Sequence, residues 1–278
     1  MIDHTFAVKK LKSLENIIVI FSQMTRMPFV ECDAETYDDQ VHIFADETGV
    51  EEFAKEYAEK KFRLMAMKVS KKQTQGVFNS FYSIGVNVIV FHENENTYRL
   101  QLEDVAKKPD MEKLMKEKLP ILNPTLQLST LYFLQEIQRP VEHDMKYARE
   151  LEEEMLINLM RSKYILPLES ADPSVPLDPK IPDQKKRIPY VKDKDGKMLL
   201  AAFTDVAEFQ KFYKDKARTI GMIVQEFEDL AKHIVGSANG MVLNPGGFHL
   251  HVTKEQLDKL TEAKLAQKEK AESEKTEN

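Results

Sequence analysis

Cysteine is almost missing: Cys32 is the only one in 278 residues. A lone cysteine excludes an intramolecular disulfide and a multi-cysteine zinc site. Glycine is scarce too, with nine in the chain, and neither Gly-x-Gly-x-x-Gly nor Gly-x-x-x-x-Gly-Lys occurs. A phosphate cradle needs such a loop between a strand and a helix, so that backbone N–H groups reach the anion. No Gly-x-Ser-x-Gly elbow is present for a serine nucleophile. Long apolar runs are also lacking. The most apolar short stretch, Ile17–Phe21, falls far below the ~20 residues of a spanning helix. The first dozen residues lack the apolar core of a secretory signal. Basic charge is not in excess: 40 basic against 46 acidic side chains give −6, with no footprint for a nucleic-acid backbone. These absences predict a cytoplasmic protein without membrane or nucleic-acid partners.

What is present is a folding composition, 42% hydrophobic and 31% charged, and an internal pattern that repeats. Three blocks recur in the same order. SLENIIVIFSQMTRMPFVE (13–31) is laid against ELEEEMLINLMRSKYILPLE (150–169), each read as a helix running into a strand, with Ile17 opposite Met155. VHIFAD (41–46) matches LAAFTD (200–205), strands ending in Phe-x-Asp. Each opens a helix with aromatics at i,i+4, Phe53/Tyr57 and Phe209/Tyr213, on one face. Asp46 and Asp205 are placed to cap those helices. Residues 85–105 align without a gap on 237–257 as strand, turn and strand. The second copy carries an insertion at 171–189 with five of the twelve prolines, which predicts an extended surface loop. Asp193-x-Asp195-Gly196 reads as a hairpin turn rather than a calcium loop.

The fold expectation is α+β: two tandem mixed α/β domains from an internal duplication, joined by a helical linker. The boundaries are 10–106 for the first copy, 107–149 for the linker, 150–260 for the second copy and 261–278 for a charged tail, disordered or a frayed helix. In the linker, Asn123-Pro124 predicts a helix start, and PTLQLSTLYFLQEIQ is apolar nearly all round and so buried.

Candidate chemistry is thin. Cys32 lies among Glu31, Asp33 and Glu35, whose charges raise a thiol pKa. His249 and His251 alternate on a predicted strand and are the sharpest metal signal, though a weak one, because the first copy has Thr97 and Arg99 there. The aromatic pairs read as core. No catalytic residue and no cofactor is expected.

The second copy resembles the N-terminal domain of the SseB family, named for enhanced serine sensitivity. The resemblance rests on Phe203-Thr204-Asp205 with the aromatic helix after it, and on the turn Leu243-Asn244-Pro245-Gly246. The first copy keeps Phe44 and Asp46 but has Phe91-His92-Glu93 where the second has Leu-Asn-Pro, and so reads as degenerate. The resemblance implies a mixed α/β domain, a bacterial cytoplasmic setting and no established catalytic activity. The resulting expectation is a non-catalytic module with an unidentified protein partner. The alternative is a small-molecule sensor or a metal-dependent protein using the His249/His251 face. The turn residues, with Phe203 and Asp205, are assigned a structural role: proline presets the corner and Gly246 takes a positive φ.

Overall fold

The computed structural model describes residues 4–108 and 121–276, apart from 173, 176, 178–180 and 182. Helix and strand are mixed throughout. The chain divides into two compact units, 1–120 with 124–155 and 121–123 with 156–278. Among the described residues no helix is long and apolar enough to cross a membrane.

The first unit opens with α1 (His4–Ser13), then β1 (Asn16–Ser22), β2 (Val30–Cys32), β3 (Asp39–Phe44) and α2 (Val50–Glu59). It continues through β4 (Leu64–Ser70), α3 (Lys71–Ser83), β5 (Val88–Glu93), β6 (Asn96–Gln101) and α4 (Leu102–Val105). Its sheet runs β4-β1-β3-β5-β6, with β2 also on β3. Only β3 and β5 are parallel.

The expected helix over the start of 13–31 is instead β1, and the helix lies upstream as α1. Four successive apolar residues, Ile17 to Ile20, are all buried. That run suits a central strand covered on both faces, whereas a helix would bury only a stripe. The pairing of Ile17 with Met155 is therefore wrong: one is in a strand, the other in a helix.

α5 (Pro124–Ile137) and α6 (Met145–Arg161) follow. The expected linker of 107–149 is not a free-standing connection. Gln135 accepts from Val30 N at 3.2 Å and donates to Val30 O at 2.7 Å, and Tyr132 donates to Asp39 at 2.6 Å. α5 is thus built onto the edge of β2, which needs its main chain satisfied, and it belongs to the first unit. Residues 109–120 of that expected linker lie outside the described residues. The boundary between units falls within α6, after Met155.

The second unit contains β7 (Lys163–Ser170), β8 (Lys186–Arg187), β9 (Tyr190–Lys192), β10 (Met198–Ala202), α7 (Val206–Tyr213) and β11 (Gly221–Glu226). It ends with α8 (Phe227–Leu230), β12 (Ala238–Leu243), β13 (Leu250–Thr253) and α9 (Lys254–Thr276). Sheets β11-β7-β8 and β13-β12-β10-β9 are joined at one antiparallel bridge, Ile165 with Phe203. The path β11-β7-β10-β12-β13 has the same order and directions as β4-β1-β3-β5-β6. Part of the Pro-rich stretch pairs as β8 on β7, so it is not loop throughout. The charged C-terminal segment is helix through Thr276, held by Lys264 and Lys268 on Glu228.

The two cores are aromatic. Phe44 packs with Ile18, Ile20, Phe29 and Tyr57 in the first unit, and Phe203 with Ile165, Ala201 and Phe209 in the second. Phe53 and Phe212 adjoin them. Asp205 caps α7 by accepting from Glu208 N at 2.9 Å. Asp46 does not cap α2: that helix starts behind Gly49 at φ 78, and the Asp46 carboxylate closes a turn onto Thr48 N.

Candidate functional site

In the second unit the resemblant residues form a closed latch. Asn244 is fully buried with φ 48. Its Oδ1 accepts from Thr204 N at 3.0 Å, and its Nδ2 donates to Thr204 Oγ1 at 2.8 Å. Thr204 Oγ1 in turn donates to Asp205 at 2.8 Å, and Asn123 donates to Thr204 O at 2.7 Å. The left-handed residue is Asn244, not Gly246 as expected; among the described glycines, Gly246 and Gly247 are not at positive φ. Their small size matters instead. A Cβ on Gly246 would lie 3.3 Å from Phe212 Cα, and one on Gly247 would lie 2.3 Å from Glu208 Oε2. Leu243 ends β12, and Pro245 carries the chain out of it.

His249 does not stand on the strand with His251. It precedes β13 with φ 55, in contact with Pro245 O, while His251 is exposed on β13. The positive φ rotates His249 out of the two-residue alternation that the sequence implied. Among the described residues no three His, Cys, Asp or Glu side chains converge to hold a metal. In the first unit, Thr97 contacts His92 and Arg99 pairs with Asp33 and Asp38. Cys32 is exposed, and its thiol is pushed up by partial burial and by Asp39, Asp33 and Asp38.

The sequence reading missed a polar chain inside the first unit. Gln40, His42 and Phe44 alternate onto one face of β3. His42 Nε2 lies 2.8 Å from Glu31 Oε1, and Gln40 Nε2 donates to the same oxygen at 2.7 Å. Tyr57 donates its hydroxyl to Glu31 Oε2. Beyond, His42 Nδ1 lies 3.0 Å from His92 Nε2, and His92 Nδ1 lies 3.3 Å from Thr97 Oγ1. Two proton arrangements satisfy every link. One is a neutral relay in which Thr97 donates to His92, His92 to His42 and His42 to Glu31. In the other, a protonated His42 donates to both Glu31 and His92 while His92 Nδ1 donates to Thr97; the charged form is the one that acts on its neighbours electrostatically. Burial alone would raise the Glu31 pKa, but the donors and the His42 charge outweigh it and hold it at about 2. Burial and His42 push His92 down to about 4. Burial and the Glu31 charge push the Tyr57 hydroxyl well above the ordinary tyrosine range. The chain keeps one carboxylate ionised and both rings oriented. The one sequence signal was polar residues at 40 and 42 inside an otherwise apolar strand; partners 11 and 50 residues away from His42 leave no motif.

Glu31 and Tyr57 also reach a cavity of about 520 Å³ in the same unit, with Asp39, Tyr132 and Lys60 among its walls. Such a volume suits a small ligand.

No curated protein matches the sequence. Among solved structures, Tic22 of Anabaena, titled protein transport, is 12% identical over 81% of this chain and 83% of its own, at TM-score 0.18. Tic22 from Plasmodium falciparum is 10% identical over 91% of this chain and 93% of its own, at TM-score 0.20. Scores this low carry no argument about fold or function. The family comparison is specific to one segment: residues 142–259 match the SseB protein N-terminal domain, so it is the second half of the chain that carries an SseB-type domain.

Proposed function

We propose that the chain is a non-catalytic module of two repeated SseB-like domains that binds a partner protein by strand addition. The observation that carries this reading is β4. It is an end strand of its sheet, and Met65, Ala66, Met67 and Lys68 are exposed in succession, on both faces. Exposed strand edges are ordinarily blunted by charge, proline, a bulge or a covering element. Among the described residues β4 has one lysine, no proline and an unbroken register against β1 from Leu64 to Ser70. An added strand would gain main-chain hydrogen bonds, with Met65 and Met67 adapting to its side chains. The latch at Asn244 supports a non-catalytic role, because its polar groups are spent on one another.

Register supports the repeat. Ile18 opposite Phe44 corresponds to Ile165 opposite Phe203, and Ile43 beside Phe91 to Ala202 beside Leu243. Phe91 with Tyr98 corresponds to Leu243 with Leu250, and Asn16 with Ser70 to Lys163 with Glu226. A one-residue slip anywhere would turn a core face outward. A cytoplasmic setting in a bacterium belongs to the same reading.

The test uses the full chain as bait in a pulldown read by mass spectrometry, beside a Met65→Lys/Met67→Lys variant with unchanged circular dichroism. A protein enriched by the wild type and lost with the variant is expected. Equal capture by both overturns the edge as the docking site.

A further inference from the structure

The cavity of the first unit has walls of an unusual kind. Tyr57, Phe62, Tyr132 and Tyr147 supply rings, and Glu31, Asp39, Glu136 and Glu154 supply carboxylates. Lys60 is the one cationic side chain among the lining residues described. Two of the rings already hold cations from the chain itself. Lys60 Nζ sits 4.6 Å from the Tyr57 centroid, and the Arg139 guanidinium carbon 4.8 Å from that of Phe62. Aromatic faces attract positive charge through their quadrupole, more strongly where water is partly excluded.

The carboxylates differ in how far they are compensated. Glu136 takes two bonds of 2.5 Å from Arg139 and a contact from His143. Glu31 is saturated by His42, Gln40 and Tyr57. Asp39 is different. Its carboxylate has one donor, the Tyr132 hydroxyl at 2.6 Å, and no lysine, arginine or histidine pairs with it among the described residues. A half-buried carboxylate held by one neutral hydrogen bond lacks most of the compensation such a group needs. Burial and the nearby Asp38 charge accordingly push its pKa up.

We propose that this cavity binds an organic cation, an alkylammonium or guanidinium group that pairs with Asp39 while its carbon chain lies against Tyr132 and Tyr147. A bare divalent ion fits less well, since Glu31 and Glu136 are occupied and such ions take six or more oxygens. A neutral apolar ligand would leave Asp39 buried without a counter-charge.

The cation has two possible sources, a free amine or a basic side chain of a peptide. Isothermal titration of the full chain separates them, with agmatine and spermidine as free amines and N-acetylargininamide as the peptide-like probe. N-acetylcitrullinamide, of the same shape without the charge, is the control. At least one cationic probe saturates, and the control binds about tenfold more weakly or worse. Agmatine or spermidine alone points to a metabolite; the arginine derivative alone points to a peptide. Asp39→Asn keeps the acceptor for Tyr132 and weakens binding by about tenfold. Tyr147→Ala, at a half-exposed helical position, weakens it several-fold with the fold intact, and decides the matter should Asp39→Asn unfold. The proposal is overturned by no saturable binding of any cation, by equal binding of the citrulline control, or by unchanged binding in the folded variants. The Met65→Lys/Met67→Lys variant retains cation binding, so failure of the edge-strand reading and failure of this one are distinguishable.

Discussion

Asn244 and His92 occupy the same place in their sheets, one residue past the parallel pairs Ala202–Leu243 and Ile43–Phe91, and use it differently. In the first unit the ladder continues, with Ala45 N donating to His92 O. In the second, Asn244 turns left-handed, its carbonyl accepts from Gly247 and His249, and its side chain takes over Thr204 N. Asn244→Ala therefore leaves a buried N–H without an acceptor and puts alanine at positive φ. The expected loss in urea unfolding is about 2–4 kcal/mol. Gly246→Val, which a positive φ at Gly246 would have made the worse change, meets only a tight contact with Phe212 and costs about 1–3 kcal/mol. The reverse order would return the strained corner to the glycine.

The first unit's version of this position titrates. Glu31 is held near 2, so its contribution to stability is complete above its unfolded value of 4.5 and is lost as pH falls towards 2. His92, depressed to about 4, has the same sign: stability is full above 6.5 and declines as pH falls through that window. Acid should therefore loosen β2 and β3, by roughly 2–3 kcal/mol for Glu31. His92→Asn should flatten the decline between pH 6.5 and 4, read by hydrogen exchange of residues 30–44. An unchanged profile in that variant would remove His92 from the linkage.

At the scale of elements, the hairpin of β12 and β13 depends on Gly240. Its φ is 153, and a Cβ there would lie 2.2 Å from Val252 O and 2.9 Å from Thr253 Cα. Between Ala238 and Gly240 the register against β10 shifts, so Asn239 is the bulged residue. Gly240→Ala has to push β13 away and should cost about 3 kcal/mol or more. Loss of exchange protection in β13 is the readout, and a stability equal to wild type would contradict the close approach. Much of this layer was legible. The Phe-x-Asp strand ends, the buried helix from Pro124 and the strand, turn and strand over 85–105 all follow from periodicity and turn chemistry. β1 was not, because a short apolar run of isoleucines fits a buried helix or a buried strand equally until its neighbours are known. The cap at Asp46 misled because the same carboxylate serves a helix or a turn, and Gly49 supplied the turn. The Glu31–His42–His92 chain was beyond reach, since its partners come from three strands.

At the scale of the whole molecule, the repeat reading makes the two phenylalanines of the central strands equivalent. Phe44 and Phe203 are almost wholly buried, each opposite an isoleucine of the neighbouring strand. Each packs against an aromatic side chain of the helix that follows: Phe53 lies 5.5 Å from Phe44, and Phe209 lies 5.3 Å from Phe203. Truncating either removes a ring from a closed core, a change that costs about 3–5 kcal/mol. Phe44→Ala and Phe203→Ala in the full chain should thus lose stability to a similar degree. Exchange protection should fall first in residues 16–101 for Phe44→Ala and in 163–253 for Phe203→Ala, because each ring belongs to one core cluster. A near-neutral Phe44→Ala beside a severe Phe203→Ala would mean that matching strand order does not carry matching core energetics. The first unit would then share its topology with the SseB-type domain without sharing the way that domain is held together.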